Sequence, residues 1–227
     1  MLFTEESVRD NIRNREGKRV FYLGKGDTLT SGARDYLSRE RIEILTASQA
    51  RPDRFRLLTG GFCEEKPEHM THLNAEVLVS KTHPRIVFRG KLDSFQAELL
   101  LCLAECPRWK PELEEILSFS RRLIRCDVLD EPFQQDTLCG LTEQEQRRHS
   151  HHPQNYYGQP HFMPEPEDGP VIARLNRLRC LARETELAAV RAFQNQDGLP
   201  TRADLIQALN RLSSMVYILM IRQKSGR

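Results

Sequence analysis

The spacing of apolar residues in the second half of the chain constrains the fold most. Beyond residue 85 these residues recur at intervals of three and four, first as Phe88, Leu92, Phe95, Leu99 and Leu103, then after Pro111 as Leu113, Ile116, Leu117 and Leu123. Such intervals place side chains on one face of an α-helix, and proline is favoured in a first helical turn. Helices of this kind bury their apolar faces against one another, so the pattern predicts a helical bundle.

The pattern continues towards the carboxyl terminus. Pro170 is expected to open a long helix that ends near Phe193, and Thr201 is expected to cap a last helix. That helix carries one apolar stripe, formed by Leu205, Leu209, Leu212, Val216 and Leu219. Residues 127–168 contain many helix breakers and four of the seven histidines, which is typical of a helix followed by a long functional loop.

Residues 1–60 differ from the rest. Val20 begins a short β-prone run, and Thr30 precedes a segment that reads as a capped helix, so we predict a small αβ accessory segment over 1–60 and a helical domain over 61–227. Residues 1–12 form either a short apolar helix, which could dock the chain to a microcompartment, or a frayed terminus.

Composition excludes several classes of protein. Hydrophobic residues make up 39% of the chain and charged residues 29%, and 34 basic against 32 acidic residues leave a net charge of +2. This balance argues against a nucleic-acid or membrane-surface binder. No apolar run approaches the roughly 20 residues of a membrane span, and the amino terminus lacks signal-peptide features. We expect a cytoplasmic protein whose six scattered cysteines are reduced thiols.

Polar stripes mark two of the predicted helices. Asn176, Arg179, Arg183 and Glu186 follow at steps of three, four and three, so they share one helical face. That face is either simply solvated or suited to a polyphosphate, which arginine binds bidentately. On the last helix a second stripe runs through Asn210, Ser213 or Ser214, and Tyr217. It fits a helix contact and a ligand site equally well.

Two further segments carry candidate residues. Pro84 keeps His83 out of a helix, so Lys81 and Arg85 are expected to flank a helix entrance, where backbone N–H groups favour anions. Asp93 on that helix could pair with an arginine elsewhere. The segment His149 to His161 could bind a metal through imidazoles, but no acidic or thiolate ligand lies at a fixed short spacing, so solvated histidines are the simpler interpretation.

Four motifs in chain order together resemble a known family. They are Lys81-x2-Pro84-Arg85, Phe88-Arg-Gly-Lys-Leu-Asp93, Leu178-Arg179-x3-Arg183-Glu-Thr-Glu186 and Ala208-Leu-Asn210-Arg-Leu-Ser-Ser. The chain resembles, over nearly its whole length, the EutT-type corrinoid adenosyltransferases of ethanolamine utilization, which in turn resemble the PduO type. The resemblance implies a mainly α protein with a bundle of about five helices. It also implies a homo-oligomer, a trimer rather than a dimer, that binds ATP between subunits.

The resemblance also implies a reaction and its residues. A Co(I) corrinoid attacks the 5′ carbon of ATP and expels triphosphate, and no catalytic serine or cysteine is expected. The residues carried over for ATP are Thr71, His72, Lys81, Arg85, Arg179, Arg183, Glu186 and Asn210. Among these, Arg179 and Arg183 would act in catalysis together with Asp93, which would pair with Arg179 across the subunit interface. Asn210 would face Mg²⁺ bound with ATP.

The loop before Pro170 is implied to form the corrinoid face. Relatives place an apolar side chain under the corrin so that cobalt loses its lower ligand and is more easily reduced. We assign that role to Phe162, with Tyr156 and His161 as neighbours. A reductase would supply the electron, and the product would serve ethanolamine catabolism, within a microcompartment if the chain is targeted to one.

The chain departs from the family at one point. EutT relatives often carry a His-x11-Cys-Cys-x2-Cys motif that binds iron or zinc, whereas the corresponding stretch here keeps only Cys63. A single thiol cannot supply a four-ligand soft site. We therefore predict no structural iron or zinc.

Two other functions compete with this hypothesis. One is a corrinoid carrier or microcompartment adaptor of the same fold without turnover, although a carrier would not need Arg179, Arg183, Asn210 and Asp93 together. The other is a hydrolase built on the histidine cluster, which depends only on the 149–161 loop.

Overall fold

The computed structural model describes residues 2–15, 17–23, 26–46, 55–60, 62–63, 65–75 and 77–226. The chain forms two compact units, Met1–Pro67 and Glu68–Arg227. The sequence prediction divided the chain after residue 60, and that division stays a prediction.

The amino-terminal unit combines short strands with two helices. Its elements are β1 (Leu2–Phe3), α1 (Glu5–Asp10), β2 (Arg13–Arg15), β3 (Lys18–Leu23), β4 (Thr28–Leu29), α2 (Ser31–Arg39), β5 (Glu43–Thr46), β6 (Phe55–Leu57) and β7 (Phe62–Cys63). Strand β3 pairs with β2 antiparallel and with β5 parallel. Strands β1 and β4 pair in parallel, and β6 and β7 pair antiparallel. The predicted small αβ segment is thus present.

The helix predicted after Thr30 is found, and of the two alternatives for residues 1–12 the structure has the short helix, α1. The Thr30 hydroxyl accepts a hydrogen bond from the Ala33 N–H at 3.3 Å and so caps α2. Val8 of α1 is completely buried and packs with Phe21 and Leu37 in the core of this unit. Since α1 turns its valine inward, a docking role for residues 1–12 would depend on Leu2, which is 62% exposed.

The carboxyl-terminal unit is mainly helical. Its elements are β8 (Met70–His72), β9 (Val77–Ser80), α3 (Pro84–Glu105), α4 (Lys110–Leu129), β10 (Thr137–Leu138), β11 (Leu141–Thr142), α5 (Glu143–His151), α6 (Pro153–Tyr157), α7 (Gly169–Ala192) and α8 (Ala203–Ser225). Short 3-10 turns at Pro107–Trp109 and Pro166–Asp168 precede α4 and α7. Strands β8 and β9 form one antiparallel hairpin, and β10 and β11 form another.

The predicted apolar stripes form the core of this bundle. Helix α7 packs against both α3 and α8, α4 packs against α3, and α5 packs against α8. Of the predicted stripe residues, those fully shielded from solvent are Phe88, Leu92, Phe95, Leu99, Leu113, Ile116, Leu123, Leu205, Leu209, Leu212, Val216 and Leu219. Leu103 and Leu117 are partly buried and pack against this core. The predicted fold class, a mainly α helical bundle, is confirmed.

One predicted helix boundary is wrong. Helix α8 begins at Ala203 with Arg202 at its N-cap position, and the Thr201 hydroxyl instead donates to the Phe193 carbonyl at 2.8 Å. The Arg202 guanidinium binds Asp204 and the Glu131 carbonyl, so a contact with the loop after α4 sets the start of α8.

Candidate active site

A cavity of about 590 Å³ lies along the outer faces of α7 and α8, under the segment that follows α5. It is lined by residues from three parts of the bundle: Arg179, Arg183, Glu186 and Leu187 of α7; Asn210, Arg211, Ser213, Ser214 and Tyr217 of α8; and Ser150, His151 and His161. Both polar stripes of the sequence analysis therefore face the same cavity, because α7 and α8 pack side by side.

The cavity carries excess positive charge. Its three arginines and one glutamate leave a formal charge of +2 with neutral histidines. Asn176 Oδ1 accepts hydrogen bonds from Arg179 Nε at 3.2 Å and Nη2 at 2.8 Å, which hold the guanidinium in place. Arg183 is exposed and pairs with no carboxylate among the described residues. This unpaired guanidinium suits an anionic ligand.

Glu186 and Asn210 join α7 to α8 at the cavity wall. Asn210 Nδ2 donates to Glu186 Oε1 at 2.8 Å, and the Arg211 guanidinium donates to Asn210 Oδ1. Burial lowers the pKa of Arg211, although guanidinium remains charged at neutral pH. The amide and carboxylate oxygens here are hard donors of the type that Mg²⁺ prefers. The Glu186 carboxylate therefore fits a magnesium ion that accompanies a nucleotide, whereas Asn210 Oδ1 would first have to release its hydrogen bond from Arg211.

His161 links the segment that follows α5 to α8 through hydrogen bonds. Its Nε2 lies 3.1 Å from the His151 carbonyl and its Nδ1 lies 2.8 Å from the Tyr217 hydroxyl. A carbonyl oxygen only accepts, so Nε2 carries the proton, and in the neutral ring Nδ1 accepts from Tyr217. The two rings also stack at 5.8 Å between centroids. Burial raises the pKa of Tyr217, which keeps its hydroxyl protonated as a donor.

Comparisons with known proteins point to one family. The family model described as cobalamin adenosyltransferase matches residues 62–223. The corrinoid adenosyltransferase EutT of Salmonella typhimurium (strain LT2) is 35% identical over 97% of this chain and 91% of its own length. The protein of the same name from Escherichia coli (strain K12) is 34% identical with the same coverage.

The chain belongs to the cobalamin adenosyltransferase family. The resemblance to the EutT type noted in the sequence is thus confirmed. No solved structure matches this member of the family. Among the residues that the structure describes, no helix has the length and apolarity needed to cross a bilayer.

Only some of the residues carried over from the cobalamin adenosyltransferase family line this cavity. Arg179, Arg183, Glu186, Asn210 and His161 do so, whereas the other predicted site residues, Thr71, His72, Lys81, Arg85, Asp93, Tyr156 and Phe162, do not. The sequence analysis named Ser150 and His151 only within the His149 to His161 segment considered for a metal, and it placed Leu187 and Arg211 in no site. Arg211 could have been suspected, because it follows Asn210 within the recognised motif, but the three others depend on packing.

The predicted phosphate residues cluster around the β8–β9 hairpin and the start of α3. Thr71 and His72 lie on β8, and Lys81 follows β9 with an exposed side chain. His83 Nδ1 accepts from the Arg85 N–H at 3.2 Å, so the predicted helix entrance is present. Asp93 is exposed on α3 and has no ion pair within the described part of the chain.

A buried carboxylate holds this region to α4. Asp127 is completely buried and accepts from Arg85 Nε at 2.8 Å and from Arg89 Nε at 2.5 Å. The same arginines also donate to the backbone carbonyls of Asp127, at 2.6 Å, and Leu73, at 2.8 Å. Arg85 was predicted to bind ATP, but in this structure its guanidinium is engaged by Asp127.

The two predicted corrinoid aromatics lie outside the cavity. Phe162 packs against the bundle core, with Lys224 Nζ 5.6 Å from its ring centroid. Tyr156 is 40% exposed and stacks on His149 at 3.7 Å between centroids. Met163, which follows Phe162, is 83% exposed. Their roles towards a corrinoid stay predictions.

Unfolding is expected to become easier on acidification, because two histidines have lowered pKa values. Burial is the main cause for both His83 and His149. Neighbouring arginines also lower both pKa values, whereas the Glu145 carboxylate partly opposes the shift at His149. Below the ordinary histidine pKa of about 6.5, the unfolded chain therefore binds more protons than the folded chain. The stabilisation from these two neutral histidines is complete above that pH and is lost as the pH falls towards the lowered pKa values of the folded chain. Urea midpoints should be higher at about pH 7.5 than at about pH 5.5. His149→Gln should narrow this gap, and an unchanged gap would contradict the assignment.

No group of three or more potential metal-ligating His, Cys, Asp or Glu side chains occurs within the described ranges. Cys63 is half-buried and its thiol lies 3.8 Å from the Phe55 carbonyl. Its neighbours Gly61 and Glu64, which belong to the stretch where relatives bind metal, lie outside the described residues. The absence of iron and zinc stays a prediction.

Proposed function

We propose that this chain transfers the 5′-deoxyadenosyl group of ATP to the Co(I) of a corrinoid, giving adenosylcobalamin and triphosphate. The observation that carries the proposal is the cavity lined by α7 and α8, in a chain of the cobalamin adenosyltransferase family. The cavity has an excess of positive charge, and its Arg183 has no carboxylate partner among the described residues. The curated relatives are named corrinoid adenosyltransferases, which supports the same activity here.

The chemistry asks the protein for positioning and charge. The Co(I) electron pair forms a bond to the 5′ carbon, the bond from that carbon to oxygen breaks, and its electrons leave with triphosphate. The leaving group gains negative charge, so the fixed cations Arg179 and Arg183 lower the barrier electrostatically. Mg²⁺, held by Glu186 and Asn210, would neutralise further phosphate charge. The corrinoid itself is the nucleophile, so no serine or cysteine is required.

We infer that the complete site needs a second copy of the chain. Thr71, His72, Lys81 and Asp93 do not line the cavity. Asp93 is exposed and has no ion pair among the described residues, so its carboxylate could pair with an arginine of another subunit. Exposed apolar side chains on the neighbouring helices α3 and α7 would also be covered by a partner. These are Val87, Leu101, Leu187 and Val190, from 38% to 67% exposed. A trimer is favoured, by analogy with the PduO relatives.

We also propose how the corrinoid is bound and reduced, and where its product is used. The loop with His161, Phe162 and Tyr156 would cover the corrin face, and a separate reductase would deliver the electron that makes Co(I). The product would support ethanolamine catabolism in the cytoplasm, within a microcompartment if the chain enters one. The EutT name of the curated relatives supports this setting.

The experiment that tests the activity is anaerobic. Purified protein is mixed with ATP, Mg²⁺ and chemically reduced cobalamin, and the corrinoid spectrum is followed. We expect Co(I) absorption to disappear as adenosylcobalamin forms, in proportion to the protein added. If Co(I) persists although the protein binds both ATP and cobalamin, the chain is a carrier and the proposed activity is wrong.

The same assay tests the predicted lack of iron and zinc. This prediction rests on Cys63, since one thiol cannot assemble a soft four-ligand site. Protein treated with an iron and zinc chelator and then given Mg²⁺ should keep its full rate, and elemental analysis should find neither metal in stoichiometric amount. Removing Mg²⁺ as well should abolish turnover. Stoichiometric iron or zinc in the purified protein would overturn the prediction.

A further inference from the structure

The segment formed by residues 159–165 contributes to the wall of the candidate active site. These residues are all described by the structure and belong to no helix or strand. Two of them, Pro160 and Pro164, have no backbone N–H to donate. Within the segment, His161 is the residue that lines the cavity. We therefore expect side-chain contacts to fix the position of the 159–165 segment.

The Tyr217 hydroxyl joins this segment to α8. It lies 2.8 Å from His161 Nδ1, and it is the donor because the proton of the neutral imidazole is on Nε2, which donates to the His151 carbonyl at 3.1 Å. The Phe162 backbone N–H also interacts with the Tyr217 oxygen and lowers the pKa of Tyr217, although burial has the larger, opposite effect. One hydroxyl thus contacts two consecutive residues of the segment.

The cationic part of the cavity does not depend on this hydroxyl. The Arg179 guanidinium is held by Asn176 Oδ1. Asn210, which is bonded to Glu186, lies about two turns before Tyr217 on α8, or roughly 10 Å away at 1.5 Å per residue. Loss of the Tyr217 hydroxyl should therefore leave the groups suited to phosphate and Mg²⁺ in place.

Tyr217 and His161 give the cavity an aromatic surface. Their rings are nearly parallel, with 11° between the ring planes and 5.8 Å between the centroids, and both residues line the cavity. Neither ring is charged while the imidazole is neutral. A triphosphate is best bound by cations, whereas an uncharged aromatic surface suits a flat, conjugated macrocycle.

We propose that Tyr217 is a positioning residue for the corrinoid, because its hydroxyl holds His161 and Phe162 in the wall that the corrinoid contacts. The inference rests on the proposed function, which places the corrinoid against the loop that contains His161. It adds a residue of α8 that acts through this loop and does not take part in the chemical step.

The first test compares Tyr217→Phe with the wild type in the anaerobic adenosylation assay. The KM for cobalamin should rise about tenfold, which corresponds to one lost hydrogen bond. The KM for ATP should stay within about twofold, because Arg179 and Arg183 keep their positions. An unchanged KM for cobalamin, or an equal rise in both KM values, would overturn the inference.

Tyr157→Phe is the matched control for loss of a tyrosine–histidine hydrogen bond. The Tyr157 hydroxyl lies 2.7 Å from His149 Nδ1, and burial raises the pKa of Tyr157 as it does that of Tyr217, but Tyr157 does not line the cavity. The two variants should lower the melting temperature by similar amounts, and only Tyr217→Phe should raise the KM for cobalamin. An equal rise in Tyr157→Phe would show a merely structural effect and would contradict the proposal.

A double variant tests whether Tyr217 acts through His161. His161→Phe removes the acceptor and should itself raise the KM for cobalamin. Adding Tyr217→Phe to His161→Phe should then have almost no further effect, because two residues that share one contact are not additive. Two effects that multiply would mean that Tyr217 acts independently of His161, and the proposal would be wrong.

Amide hydrogen exchange measures the position of the segment without either substrate. Peptides that cover residues 159–165 should exchange faster in Tyr217→Phe than in the wild type, because the segment opens more often when this contact is lost. Equal exchange in the two proteins would show that the hydroxyl does not hold the segment and would overturn the inference. A wild-type protein that forms no adenosylcobalamin would instead refute the proposed function.

Discussion

Arg183→Ala should lower the rate of adenosylcobalamin formation by a factor of about 10² to 10³, the usual loss when a fixed charge donor to a transition state is removed. Arg183 is exposed, lines the cavity and has no carboxylate partner among the described residues, so its charge is available to the leaving triphosphate. The same exposure predicts that stability changes by no more than about 0.5 kcal/mol. The measurement is the anaerobic cobalamin assay, with thermal unfolding in parallel.

Arg191→Ala is the matched control. It removes an exposed arginine from the same helix, two turns further on and outside the cavity, and should leave the rate unchanged. Arg183→Lys should recover only part of the rate, because an ammonium keeps the charge but loses the planar fork that binds two phosphate oxygens. A full rate in Arg183→Ala would remove this residue from the mechanism.

Asp127→Ala should lower the free energy of unfolding by about 3 to 5 kcal/mol, which is typical when one partner of a buried ion pair is removed. The carboxylate is completely buried and holds both Arg85 and Arg89, so its loss leaves two guanidinium groups without their counter-charge. For a unit of this size the melting temperature should fall by about 10 °C.

The control for this substitution is Glu114→Ala on the same helix. Glu114 and Lys110 form an exposed pair at 3.9 Å, and the loss of such a pair costs under about 1 kcal/mol. Asp127→Asn, which keeps the shape but removes the charge, should fall between the two. An Asp127→Ala protein that melts with the wild type would show that Arg85 and Arg89 find other partners. Because Arg89 also binds the Leu73 carbonyl, the β8–β9 hairpin should loosen together with this network.

The sequence predicted the bundle well because the predictive signal was local. Periodic apolar positions decide which face of a helix is buried, and Phe88, Leu92 and Leu209 are all fully shielded as predicted. The Thr201 cap failed for the opposite reason. A threonine before a helix is a good local signal, but the contact of Arg202 with the loop after α4 sets the boundary, and this contact joins residues about 70 positions apart.

The candidate site, like the fold, was predictable only where the signal was local. Spacing along α7 and along α8 was enough to place Arg179, Arg183 and Glu186 on one face and Asn210 on another, and the family resemblance connected the two. Which helices lie side by side depends on packing between distant segments. The sequence therefore marked Ser150 and His151 as part of a candidate segment but did not place them beside α7 and α8.

The sequence alone therefore determined the helical architecture, the family and the residues with the chemistry for a polyphosphate, because each is encoded in local spacing or in ordered motifs. Tertiary structure decided how those residues are used. It engaged Arg85 with the buried Asp127 and, among the residues that the structure describes, left Arg183 without a carboxylate partner. The physical reason is that hydrogen bonds and ion pairs form between atoms close in space, whatever their separation along the chain.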